Sequence, residues 1–240
     1  FEDAQLLLYT LENDPKISIQ ATFQILPVVK QNNISVEVKN SPHQFHFLRQ
    51  QNPKKNNEPH WSLIDFLGQE DYLGIFAVNA GIGVDQWLQE IASENNDYKE
   101  ILIKAIADRL AEAATEKLHE DVRKKYWGYA PEELFKTEEL LAEKFQGIRP
   151  APGYPACPDH TEKQTIWNIL QPDKTIGLQL TESMAMYPTA AVSGYFFAHP
   201  KSLYFGIQRI GQDQLTAYAE AKKIDITSAQ RWLGHIVPTS

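Results

Sequence analysis

From Tyr98 to about Tyr126, apolar residues recur at three- and four-residue steps: Ile103, Ile106, Leu110, Ala114, Leu118 and Val122. Acidic and basic residues fill the remaining positions. That period predicts an amphipathic helix with one buried stripe. A looser stripe of Leu6, Leu7, Leu8 and Leu11 predicts a helix over residues 1–12. Pro131 suits the first turn of a further helix from Glu132 to Phe145, with a restart at Thr137 and a stop at Gly147. Asp159 followed by Glu162 resembles a capping box opening a helix through Leu170, and Gln212–Lys223 and Thr227–Leu233 read as two closing helices.

The alternating pattern is confined to other regions. Between Ile17 and Leu48 it predicts strands joined at Asn32-Asn33, followed by a polar loop from Gln50 to His60. "YLGIFAVNA", Tyr72 to Ala80, is too short for a helix and reads as a buried strand. "GLQLTES", "AVSGYFFAH" and "LYFGIQRI" have the length and aromatic content of strands. Strands, then helices, then strands, without regular βαβ alternation, predict an α+β fold rather than a doubly wound sheet.

Composition narrows the function classes. The 240 residues are 42% hydrophobic and 22% charged, enough for a sizeable core. A formal net charge of −8 argues against a general binder of nucleic-acid backbones and leaves small-molecule or protein partners. No apolar run approaches membrane-spanning length, and the first residues lack the basic and apolar regions of a signal peptide. They read as the middle of a helix, so the chain is expected to be a piece of something longer. Cys157 is the single cysteine, which excludes an intrachain disulfide and fits a reducing compartment, the cytoplasm.

The densest chemistry lies in "RPAPGYPACPDH", Arg149 to His160, whose four prolines exclude it from any helix or sheet interior. Cys157 and His160 could form a nucleophile and base or half a zinc site. Their close spacing in a proline-rich run, with no orienting acid nearby, favours neither. No histidine pair has the four-residue spacing of a metal-binding helix, and neither common phosphate-cradling glycine motif is present. "NAGIG", Asn79 to Gly83, offers only a glycine turn after a strand. Glu112 and Glu143 lie on predicted helices, where a solvated charge is the ordinary reading. Arg149, between a helix end and the proline loop, can hold a carboxylate bidentately or form a structural ion pair. Strand alternation would put Tyr204 and Phe205 on opposite faces, in the core or on a pocket wall. The loop's carbonyls near Ala151 and Ala156 are pre-ordered acceptors that could grip an amine at small entropic cost.

Three long stretches then appear in order: "DRLAEAATEKLHEDVRKKYWGYAPEE" from Asp108, "GIRPAPGYPACPDHTEK" from Gly147 and "LTESMAMYPTAAVSGYFFAHP" from Leu180. They resemble the C-terminal activation domain of cobalamin-dependent methionine synthase, closely over residues 68–235 and loosely over residues 1–60. The resemblance implies a C-shaped α+β domain, built on a bent antiparallel sheet with helices around it, that binds S-adenosylmethionine. In that family the cobalamin shuttles a methyl group from methyltetrahydrofolate to homocysteine and is occasionally oxidised to inactive cob(II)alamin. The activation domain then swings over the cobalamin, an electron arrives from flavodoxin or a flavoprotein reductase, and S-adenosylmethionine restores methylcobalamin.

On this resemblance Arg149 is the group that binds the ligand's carboxylate and Ala151 a backbone contact in the same loop. Tyr204, with Phe205 beside it, lies against the ligand. Glu112 and Glu143 lie near the sulfonium, and Tyr154 and His160 approach the corrin of the cobalamin-binding domain. No side chain is expected to act as a nucleophile, and no nucleic acid or membrane partner is expected. Family members usually carry an earlier segment with Asp-Trp and Pro-Phe-Phe, whose aspartate grips the ligand's amino group. Residues 1–240 are therefore expected to form one activation-like domain without that segment. Around Pro27 the family pattern Phe-Pro-Ala-Asn is replaced by "ILPVVKQNN". Both departures leave open an alternative: a stand-alone regulatory relative that binds a small molecule or a corrinoid protein, with weakened affinity for S-adenosylmethionine.

Overall fold

The computed structural model describes residues 2–54, 58–92 and 96–238. In chain order the elements are α1 (Glu2–Asn13), β1 (Ser18–Lys30), β2 (Ser35–Val38), β3 (Gln44–His46), β4 (Glu70–Ile82), α2 (Val84–Ala92) and α3 (Asp97–Asp121). Then follow α4 (Thr137–Leu141), α5 (Glu162–Leu170), α6 (Pro172–Thr175), β5 (Gln179–Leu180), β6 (Met186–Tyr187), β7 (Ala191–Phe196), α7 (Gln212–Lys222) and α8 (Ile226–Leu233). Five strands form one antiparallel sheet in the order β3-β2-β1-β4-β7, and β5 and β6 make a separate short hairpin. The fold is the expected α+β, a curled antiparallel sheet with helices around it. The expected polar loop from Gln50 to His60 includes residues 55–57, which lie outside the described residues.

β4 shows why its sequence reads as an unbroken apolar run. Its alternate residues Leu73, Ile75 and Ala77 join the main core with Tyr195 and Phe197, while Phe76 and Val78 pack on the other face with Phe196 and Val122. A strand covered on both sides has no polar face to alternate with. β1 pairs with β4 from Ser18↔Ile82 to Val29↔Glu70, and β7 pairs on the other side from Gly74↔Phe196 to Asn79↔Ala191.

α3 covers the second face, but its most buried stripe is Ile103, Ala107, Ala111, Thr115 and His119. Of the expected stripe, Ile103 and Val122 are buried, whereas Ile106, Leu110, Ala114 and Leu118 flank it and are only partly covered. Small side chains at the centre allow close approach to the sheet, so larger residues splay to the sides. Past Asp121 the helix widens into a π-turn over Val122–Tyr126, closed by Trp127 N–H donating to the Val122 carbonyl at 2.9 Å.

Three expectations are corrected. Residues 131–136 are not helical, and only Thr137–Leu141 is. The chain before it turns inward so that Glu133 meets the buried Arg123, with Nε and Nη2 of the arginine donating at 2.7–3.1 Å. "LYFGIQRI" is not a strand, because its backbone bonds to loops: Ile207 N–H to the Pro155 carbonyl at 2.7 Å and Ile210 N–H to Ile236 at 2.9 Å. Asp159 and Glu162 make no capping box. Thr161 is the N-cap of α5, and the Glu162 carboxylate turns into the core, where it accepts from His46 N–H and Lys222.

Candidate functional site

A cleft of about 780 Å³ opens between one side of α3, the proline loop, the start of β7 and Tyr204-Phe205. That volume suits a small organic ligand. α3 contributes Asp108, Arg109, Ala111, Glu112 and Thr115, and the loop contributes Arg149 to Ala151 and Tyr154 to Ala156. Thr189, Ala191 and Val192 line the far wall. Tyr204 and Phe205 both face the cleft, contrary to strand alternation, because the segment is irregular.

The proline loop is held against the sheet by its backbone. Tyr195 N–H donates to the Pro150 carbonyl at 2.9 Å, and a side chain at Gly194 would place its Cβ 2.5 Å from that same oxygen. Within the loop, Gly153 N–H donates to Cys157, Tyr154 N–H to Ala151, and Cys157 N–H to Tyr154. The Ala151 carbonyl is thus already an acceptor in a turn. Among the described residues, the Ala156 carbonyl has no backbone donor.

A buried ionic cluster anchors the loop's far end. Lys222 on α7 donates to Asp159 at 2.8 Å, Thr161 at 2.6 Å and Glu162 at 2.7 Å, and Tyr218 O–H donates to Asp159 at 2.8 Å. Burial opposes the charge on Asp159, yet the Lys222 ammonium and the Thr161 donors hold its carboxyl below the usual carboxylate range. Burial pushes Glu162 upward despite Lys222.

Arg149 is gripped from behind. Its Nη2 meets Glu116 at 2.6 Å, its Nη1 donates to His119 Nδ1 at 3.4 Å, and its backbone N–H donates to the Tyr204 hydroxyl oxygen at 3.0 Å. The guanidinium keeps further N–H groups for a ligand. His119 stacks on Phe196 with centroids 5.1 Å apart, and Tyr129 hydroxyl lies 3.3 Å from its Nε2. Burial first, then the neighbouring Arg123 and Arg149, hold His119 well below the ordinary histidine range, so it stays neutral. Burial raises the Tyr204 hydroxyl, which remains protonated. Glu116, His119 and Arg123 were missed from the sequence. For His119 and Arg123 the available signal was that they continue the four-residue stripe Ile103-Ala107-Ala111-Thr115; Glu116 lies off that stripe and carried none.

The other expected residues separate into groups. Glu112 lines the cleft and pairs with Arg109 at 2.6 Å. Glu143 follows α4 with a left-handed backbone (φ 51°) and is not a lining residue, although its charge reaches Tyr204. Tyr154 lines the rim and is 66% exposed. His160 lies outside the cleft, with its ring against Gly153. Cys157 is buried, burial pushes its thiol well above the usual value, and the Nδ1 of His160 is taken by Lys163. A nucleophile–base pair is therefore not assembled. Among the described residues no group of three or more His, Cys, Asp and Glu gathers to hold a metal, and no helix is long and apolar enough to cross a membrane.

Residues 1–223 match the family described as "Vitamin B12 dependent methionine synthase, activation domain". The chain belongs to that family. A solved structure titled "Crystal Structure of the MetH Reactivation Domain bound to AdoHcy" superimposes with a TM-score of 0.95 at 41% identity, covering 100% of this chain and 77% of that chain.

Proposed function

We propose that the cleft binds S-adenosylmethionine, and its demethylated product S-adenosylhomocysteine, in the reductive methylation that returns oxidised cobalamin to methylcobalamin. The observation carrying this reading is an arginine with N–H groups left over for a ligand in a ligand-sized cleft whose α3 wall carries Asp108 and Glu112, the latter paired with Arg109. Arg149 would hold the amino-acid carboxylate, the interaction its planar fork suits best. When bound, S-adenosylmethionine supplies an electrophilic methyl on a sulfonium. The Asp108 and Glu112 carboxylates, with Glu143 at longer range, favour that fixed positive charge. Ala151 contributes backbone contact, and Tyr204 and Phe205 form the aromatic wall. The chain's part is positioning, with no proton to move.

Tyr154 and His160, exposed on the same loop, would face a cobalamin held by a separate domain of the enzyme. The electron is assigned to flavodoxin or a flavoprotein reductase, and the work to the cytoplasm. The isolated domain would not turn over alone.

Calorimetric titration of S-adenosylhomocysteine tests the site, with 5′-methylthioadenosine, which lacks the carboxylate, as control. Arg149→Ala should remove a charged hydrogen-bond pair worth about 1.5–3 kcal/mol, a loss of roughly 10- to 150-fold. The control ligand should be unaffected. Absence of binding by this chain and by its parent methionine synthase alike would refute the reading.

A further inference from the structure

Lys163, in the first turn of α5, is only 7% exposed. Among the described residues, no carboxylate lies within ion-pair distance of its ammonium. Instead it donates to the Met184 carbonyl at 2.9 Å and to His160 Nδ1 at 3.0 Å. Burying a cation without a counter-ion is costly, and a backbone carbonyl and an imidazole are weak compensation. The placement needs a reason beyond packing.

The geometry supplies one. Met184, itself in a left-handed conformation, lies in the loop between β5 and β6. Lys163 therefore ties that hairpin to the end of the proline loop through a single ammonium. The imidazole of His160 lies against Gly153 so closely that any side chain there would overlap the ring, and Gly153 also has a φ of +94°. The ring is thus wedged between Lys163 and the backbone preceding Tyr154. An ammonium donating to Nδ1 makes that nitrogen the acceptor, so the single ring proton of the neutral form sits on Nε2. His160 is exposed, with its Nδ1 edge occupied.

We propose that Lys163 is a positioning residue that fixes His160 as a neutral, outward-facing Nε2–H donor on the face carrying Tyr154. The matching acceptor on the docked partner would be a carbonyl oxygen of the amide groups around the corrin ring. This rests on the reading that Tyr154 and His160 face cobalamin. The charged or titratable groups facing the ring are Lys163, Asp159 in the same loop, and His235 from the C-terminal turn. Burial and the Lys163 charge lower the His160 pKa, in keeping with a neutral ring.

Long-range ¹H–¹⁵N NMR of the His160 ring in this chain reads the tautomer directly. The wild type should show one neutral tautomer protonated at Nε2. Lys163→Met should mix the tautomers and move the ring's protonation midpoint upward, and Lys163→Arg should restore the wild-type pattern. In the parent methionine synthase carrying its cobalamin, Lys163→Met should slow S-adenosylmethionine-dependent recovery of the oxidised cofactor by roughly 2- to 10-fold, the worth of one neutral hydrogen bond. Lys163→Arg should recover most of that rate. Affinity for S-adenosylhomocysteine should stay within about twofold in both variants, because a single ring hydrogen bond outside the cleft is altered. A wild-type ring protonated at Nδ1, an unchanged tautomer in Lys163→Met, or unchanged recovery would each overturn the inference. Failure of the wild type to bind S-adenosylhomocysteine would instead count against the proposed ligand and leave the tautomer measurement intact.

Discussion

Replacing Lys222 by Met removes the cation that neutralises Asp159 and Glu162 while keeping most of the apolar stem. The three side chains are almost sealed from solvent, with exposures of 12% for Lys222, 4% for Asp159 and 0% for Glu162. Lys222 makes three hydrogen bonds of 2.6–2.8 Å, so its loss strands two buried carboxylates and the Thr161 hydroxyl. Removing one partner of a buried ionic network costs about 3–5 kcal/mol, because the remaining charges cannot be solvated. With a urea slope of about 3 kcal/mol/M, suited to a chain of this size, the midpoint should fall by roughly 1–1.7 M. The sign of the pH dependence is fixed by the same argument. Without Lys222 the folded-state pKa values of the two carboxyls rise above their unfolded values. That penalty is complete well above pH 5 and disappears as pH falls below about 4, where the unfolded carboxyls are also protonated. Urea melts of both proteins at pH 7 and pH 4 measure the difference. A midpoint change under about 0.3 M at pH 7, or a deficit that grows on acidification, would refute the account of this cluster as an electrostatic anchor.

His46 provides a second pH signature. Burial, reinforced by Lys222 and partly opposed by Asp159, lowers its pKa from 6.5 to about 4. A depressed histidine contributes stability that is complete above pH 6.5 and is lost as pH falls from there toward 4. The shift corresponds to at most about 3 kcal/mol. A His46→Gln variant should therefore show a flatter stability–pH curve between pH 7 and 4 in chemical denaturation. Gly194→Ala would push a methyl into the Pro150 carbonyl and lift the proline loop from β7, costing about 1–3 kcal/mol. Thermal unfolding should show that loss, and titration should show weakened S-adenosylhomocysteine binding; unchanged affinity would mean that the loop's seat on β7 does not position the site. Glu116→Gln together with Arg149→Ala forms a double-mutant cycle. If Glu116 acts through Arg149, its effect on S-adenosylhomocysteine affinity should vanish in the Arg149→Ala background.

The sequence by itself determined which segments are helical or extended wherever one face had to be buried. The long α3, the double-sided β4 and the two C-terminal helices follow from the spacing of apolar residues. The proline loop was also legible, because proline removes donors and fixes φ regardless of what surrounds it. Tertiary structure decided what local spacing cannot carry. It set the buried stripe of α3 about one residue round from the expected line, because the close-packed positions hold Ala107, Ala111 and Thr115 rather than the largest residues. It unwound residues 131–136 so that Glu133 could meet Arg123, and it left 203–210 irregular because Pro155 and Ile236 supply acceptors in place of a neighbouring strand. It also turned Glu162 from a helix cap into a buried partner of Lys222, which lies sixty residues away in sequence. Ion pairs and shared hydrogen bonds depend on distance in space, and only the packed chain brings Arg149, on the cleft wall, against Glu116 and His119 behind it.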